Sequence, residues 1–225
     1  MVAERRALLH TVVLHPNVPD QWHWYPSIMG IYTVRTGYHF LTSQDLLIVG
    51  TLDVFIWHKK VSLKVSILAW RLLHDMLPTK TNLLNQGILS SEATICSTAC
   101  GQDETASHLF LHCDMYAPLW QMVRSLLGVS GVDPQGLHAH FFQFTNCLGG
   151  LKACRSFLQL LWLLCVWLIW QEHNNRLFKN SQLPISEHMD KVKFHSYWWL
   201  KANNTTFVFG SQRWWSEPLR CLGIG

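Results

Sequence analysis

Charge is scarce in this chain. Asp, Glu, Lys and Arg make up 14% of its 225 residues, against 49% hydrophobic. A disordered chain needs the opposite balance, so that class is excluded, and the length allows one large or two small domains with a sizeable core. Acid is scarcest: the fourteen Asp and Glu are scattered singly apart from Asp103-Glu104, and no Asp-Asp dipeptide occurs. A pair of metal ions held by clustered carboxylates is therefore not readable here. No Lys or Arg falls between Thr81 and Trp120. The opening residues, MVAERRALLH, lack the apolar run and small-residue cleavage site of a secretory signal. The expectation is an intracellular, unsecreted chain with reduced thiols, nuclear or cytoplasmic. Internal repeats and low-complexity tracts are missing too. The net charge of +4 is too small to imply nucleic-acid binding by itself.

Cysteine, by contrast, is clustered. Three of the seven cysteines fall in residues 96–113, CSTACGQDETASHLFLHC. Three residues separate Cys96 from Cys100, seven separate Cys100 from His108, and four separate His108 from Cys113. Two thiolates, a short polar loop, then an imidazole and a third thiolate meet the tetrahedral demand of one structural Zn2+. Buried free thiols are the bland alternative. In a reducing compartment metal is the better reading than a disulfide. His112, beside Cys113, is an alternative fourth ligand.

Twelve Trp promise a core filled by large flat side chains. Residues 157–170, FLQLLWLLCVWLIW, hold a single polar side chain, Gln159. As a helix this run spans about 21 Å, short of the roughly 30 Å of a hydrocarbon layer. A buried core helix is expected, with no membrane partner. Val65, Leu68, Ala69, Leu72, Leu73 and Met76 form one helical stripe over 63–77, stopped by Pro78. Thr79 can cap the next short helix, and Gly87 sits where a terminating glycine belongs. A helical stretch over 104–111 would carry His108, with Glu104 as the acidic charge at its start. Asp114 is expected to cap a helix over 116–127, and Asp133-Pro134 to open another through Phe144. The longest helix is expected over 152–179, and a last one from Pro184 through Ala202. Upstream, Trp22, Trp24, Tyr32 and Val34 alternate around a Pro/Gly break, the pattern of a short β-hairpin, and Thr36 can cap a short helix. The fold class is mainly α with a short N-terminal β-hairpin, and a small Cys3His knuckle sits between helices.

Several of these stretches, taken in order, resemble the zinc-binding domain of reverse transcriptases, found at the C-terminal end of plant non-LTR retrotransposon polyproteins. Trp22-x-Trp24, then Gly30-x-Tyr32-x-Val34 and Tyr38, resemble its opening motif. Trp57 and residues 61–83, VSLKVSILAWRLLHDMLPTKTNL, are similar to its W…W-R-L…L-P-T…L run. Cys96, Cys100, Glu104, His108-Leu109-Phe110, Cys113 and Trp120 match its C…C…E…H-L-F…C…W. Residues 167–178, WLIWQEHNNRLF, resemble the W-x-I-W-x-x-R-N…F segment that follows. Departures are the three-residue gap after Cys96 in place of two, Ser62 for a proline, and His173 for an arginine.

The resemblance implies three regions: an irregular lead over 1–19, the zinc-binding domain over 20–120 and a helical extension over 121–225. It favours His108 as fourth ligand, because His108 heads the H-L-F triplet. The parent family is an RNA-directed DNA polymerase, but polymerase and RNase H carboxylates are not found, so the expectation is a non-catalytic module. The metal loop holds no cation to grip phosphate. RNA or DNA contact would fall to basic helix faces, foremost Lys60, Lys64 and Arg71 if one helix starts near Trp57. The alternative is an orphaned packing domain whose partner was the polymerase part of a parent polyprotein.

Overall fold

The computed structural model describes residues 56–148, 152–203 and 208–221. The expected hairpin around Trp22 to Val34, the helix after Thr36 and the 1–19 lead lie outside the described residues. Within them the chain is mainly helical and has no strand, only one isolated antiparallel bridge between Ile95 and Asp103.

Helix α1 (Leu63–Leu73) buries Val65, Leu68, Ala69, Leu72 and Leu73, the expected stripe. It stops one turn earlier than its periodicity suggests. Asp75 turns left-handed at φ 53, Met76 N–H returns to Arg71 O at 2.7 Å, and Met76 ends 52% exposed. The Asn82 amide fixes that turn by donating to Asp75 O, Asp75 Oδ1 and Leu77 O. Helix α2 (Lys80–Asn85) begins where Thr79 Oγ1 accepts Asn82 N–H, and ends ahead of Gly87 at φ 72. Both caps are as expected.

After the metal loop come α3 (Ala117–Leu126) and α4 (Leu137–Asn146). Neither opens as expected. Asp114 is exposed and the α3 start has no side-chain cap, while α4 starts behind Gly136 rather than at Asp133. Asp133 instead accepts from Arg124 and lies 2.8 Å from His140 Nε2. A half-buried carboxylate between a guanidinium and an imidazole N–H gains more there than a helix terminus offers. His140 Nδ1 in turn accepts Trp162 Nε1–H at 3.0 Å.

Helix α5 (Lys152–Lys179) has the bounds expected from sequence and is the axis of the fold. It packs against α1, α4 and α6 (Ile185–Asn203). Leu158 and the run from Leu160 through Val166 are at most 1% exposed, so this segment is surrounded on all sides. It is apolar and long enough to cross a membrane, but 72% of its most apolar window is covered by the fold itself. At about 1.5–3 kcal/mol per fully buried large apolar side chain, this helix supplies the largest share of hydrophobic stabilisation. Glu172 ties its end to the linker before α6 by accepting from Leu183 N–H (3.0 Å), and it also accepts from Arg176 Nε of its own helix (3.1 Å).

The tail forms two short helices, α7 (Ser211–Ser216) against α6 and α8 (Pro218–Cys221) against α7. Three tryptophans, Trp120, Trp162 and Trp214, are buried, and each indole N–H has an acceptor: Phe110 O, His140 Nδ1 and Ser196 Oγ. A buried indole needs that partner, which is why each ring settles where it does.

Candidate metal centre

The metal loop is a tight knuckle followed by a wide helical turn. Cys96 N–H donates to Gln102 O and Ala99 N–H to Cys96 O, both 2.8 Å. Ala99 (φ 58) and Gly101 (φ 82) take left-handed conformations that fold the loop back on itself. Ala99, at the outside of that turn, is exposed.

Past the knuckle, Thr105 Oγ1 accepts His108 N–H at 3.0 Å, the arrangement of an N-cap. The helical stretch thus begins at Ala106, not at Glu104. Residues His108–His112 then form a single π turn, closed by Cys113 N–H to His108 O at 2.7 Å. A bond from residue i+5 to residue i brings His108 and Cys113 to the same side, where an α turn would pair residues four apart. Leu109, Phe110 and Leu111 go into the core and anchor the turn.

The ligand atoms of Cys96, Cys100, His108 and Cys113 all lie within 4.8 Å of one another. Zn–S bonds of about 2.3 Å at tetrahedral angles put sulfurs about 3.8 Å apart, so this cage closes on the ion with shifts of about 1 Å at most. Cys100 Sγ and His108 Nε2 are 3.1 Å apart. Cys96 and Cys113 are buried, and Thr98 Oγ1 lies 3.3 Å and 3.2 Å from their sulfurs. Its hydroxyl can donate to a thiolate and so orient the ligand pair.

The acidities point the same way. The Cys96 thiol is pushed up to about 12, chiefly by its hydrogen bond with Cys113 and then by burial. The Cys113 thiol is drawn down to about 7, chiefly by that same bond and by Thr98, against burial. The pair surrenders one proton easily and retains the other until a cation offsets the second negative charge. A divalent metal ion does that.

His112 is exposed, and its Nε2 lies 3.1 Å from Gln135 O, on a different element from the cage. The structure therefore brings together Cys96, Cys100, His108 and Cys113 and leaves His112 out.

The profile of a family described as zinc-binding in reverse transcriptase matches residues 32–120. This segment is a reverse-transcriptase zinc-binding domain. No curated protein and no solved structure matches the chain.

The zinc-binding domain owes its shape to a residue whose role sequence reasoning misjudged. Glu104 is fully buried. Its Oε2 accepts Ser97 N–H at 2.8 Å, and its Oε1 accepts Lys80 N–H at 3.3 Å and faces His173 Nε2 at 3.0 Å. It thus joins the knuckle, the start of α2 and α5. Burial alone would raise its pKa, but the bonds and charge from His173, with the Ser97 N–H, hold the carboxyl below the usual range. The one readable signal was His173 standing where the resemblance puts an arginine. Thr98 was missed as well, since a loop threonine carries no spacing signal.

The basic triplet is only partly assembled. Helix α1 starts at Leu63, not near Trp57, so Lys60 sits in the preceding turn and does not share a face with the others. Lys64 and Arg71 line one groove with Trp167, Trp170 and Asn174. Lys64 Nζ stands 5.0 Å over the Trp167 ring, and Arg71 donates to Met76 O at 3.0 Å.

Proposed function

We propose that this chain is a non-catalytic, zinc-clasped accessory module of a plant non-LTR retrotransposon reverse transcriptase, with one structural Zn2+, and that it contacts RNA or DNA through basic helix faces. The observation that carries the reading is the ligand set itself. Four protein donors complete a tetrahedron and leave no position for a reacting water.

The loaded site has a formal charge of about −1, from Zn2+ with three thiolates. Residues 81–120 carry Glu92, Asp103, Glu104 and Asp114 and no Lys or Arg, and the neighbouring Lys80 ammonium is engaged by Ile95 O at 2.6 Å. The knuckle is a clasp, and phosphate contact belongs to cations elsewhere, with Lys64 and Arg71 in their tryptophan-lined groove the first such pair. Binding of the whole chain to labelled oligonucleotides, measured across a salt series, tests the reading. Binding that weakens steeply with salt supports it, and no binding at low salt overturns it.

A second reading, a packing domain for a polymerase segment, is favoured by Phe194 and Trp198 on α6, 48% and 47% exposed. It predicts capture of a polymerase fragment and indifference to oligonucleotides.

A further inference from the structure

A second basic concavity lies at the start of α5. Trp57, His58, Lys59, Lys60, Lys152, Arg155, Ser156 and Gln159 line a cleft of about 490 Å³. It draws cations from two segments almost a hundred residues apart, and the described residues that line it include no carboxylate. His58 holds the two segments together. Its Nδ1 accepts Lys60 N–H (3.3 Å), which leaves Nε2–H to donate to Ser156 Oγ at 2.7 Å, a bond spanning 98 positions. Burial and the Lys60 charge hold the His58 pKa below its usual value. It is therefore a neutral, fixed joint, and the cleft is shaped before anything binds. Lys59, Lys152 and Arg155 are exposed, and Trp57 keeps 48% of its surface.

We propose that this cleft binds a single-stranded nucleic acid, with Lys59, Lys152 and Arg155 on backbone phosphates and the Trp57 ring stacked on a base. The inference rests on the nucleic-acid reading above and assigns it a distinct contact site. Cations in a concave surface beside an exposed ring suit one strand, whose bases present flat faces. A duplex hides its base faces within the stack. The cleft and the Lys64–Arg71 groove lie at the start and the later turns of the same helix, about 24 Å apart between residues 155 and 171 at 1.5 Å per residue.

The test uses the zinc-loaded full chain and fluorescence anisotropy with a single-stranded oligonucleotide, its duplex and phosphatidylserine vesicles. Lys152→Gln with Arg155→Gln should weaken single-strand binding about tenfold or more. It should also flatten the salt dependence by about 1.4 in log–log slope, about 0.7 per lost phosphate contact. Trp57→Ala should weaken binding with the slope unchanged. Lys59→Glu, at an exposed turn position, gives an independent reading should the double variant lose its fold. Unchanged affinity in the double variant and in Lys59→Glu, while wild type binds, overturns the cleft and leaves the broader reading intact. Absence of wild-type binding at low salt overturns both. Preference for duplex or vesicles over single strand overturns the proposal.

Discussion

Glu104 and His173, 69 positions apart, meet at 3.0 Å with both side chains buried. The carboxylate belongs to the metal loop and the imidazole to the axial helix, so the bond fastens the zinc knuckle to the hydrophobic core. Glu104→Ala should cost about 3–5 kcal/mol, because it removes one partner of a buried pair and strands the other. A cycle with His173→Ala in chemical denaturation should give a coupling of about 0.5–3 kcal/mol. Additive single effects would show that the two side chains act separately.

Metal analysis should find about one zinc ion per chain. Cys100→Ser and His108→Ala should lose it, and His112→Ala should keep it. Full occupancy in His108→Ala with loss in His112→Ala would reverse the ligand assignment. Chelation of the wild type should lower the melting temperature, since the binding energy of a structural metal adds to folding energy.

The left-handed loop residues offer a test of backbone strain. Ala99 at φ 58 bears a Cβ where glycine is preferred, so Ala99→Gly should stabilise the zinc-loaded chain by up to about 1–2 kcal/mol. Gly101→Ala, at φ 82, should cost a similar amount. Melting curves at saturating zinc separate the two signs.

Stability should fall in acid for a reason that zinc release does not cover. Burial would raise the Asp133 carboxyl, but His140 and Arg124 outweigh it and hold it below its usual range. A lowered folded value adds stability that is present above the unfolded pKa of about 3.9 and is lost as pH falls through the folded one. Asp133→Asn should therefore be less stable than wild type at neutral pH, and the gap should close below about pH 4. A gap that persists unchanged into acid would mean that charge is not the cause.

In the core, Leu163→Ala should cost about 2–5 kcal/mol, since the side chain is fully buried in α5. Leu177→Ala, on the exposed end of the same helix, should cost less than about 1 kcal/mol. Equal losses would contradict the placement of the helix.

Much of this molecule was legible in its residues. The bounds of α5, the α1 stripe and the Thr79 cap follow from periodicity and cap chemistry; thiol spacing marks the cluster of Cys96, Cys100 and Cys113, and the family resemblance sets His108 rather than His112 beside them. At two positions tertiary partners outbid local preference. Asp133 and Glu104 look like helix-start acids, but each finds cationic or imidazole donors from distant segments. Met76 fits the α1 stripe, yet Asp75 leaves the helical conformation one residue before it. The π turn at His108 was illegible too, since no residue in H-L-F-L-H marks a five-residue bond.

The two halves of the ligand set differ in how they would tolerate an inserted residue. Between Cys96 and Cys100 the chain bows outward through Ala99, so one more or one fewer residue changes the size of a bulge and leaves the sulfurs in reach. Between His108 and Cys113 the count is set by a hydrogen-bonded ring with three side chains sunk in the core. A single deletion there would turn a ligand away from the ion. Length drift along this chain should therefore collect in the first interval and be purged from the second wherever the metal is still needed.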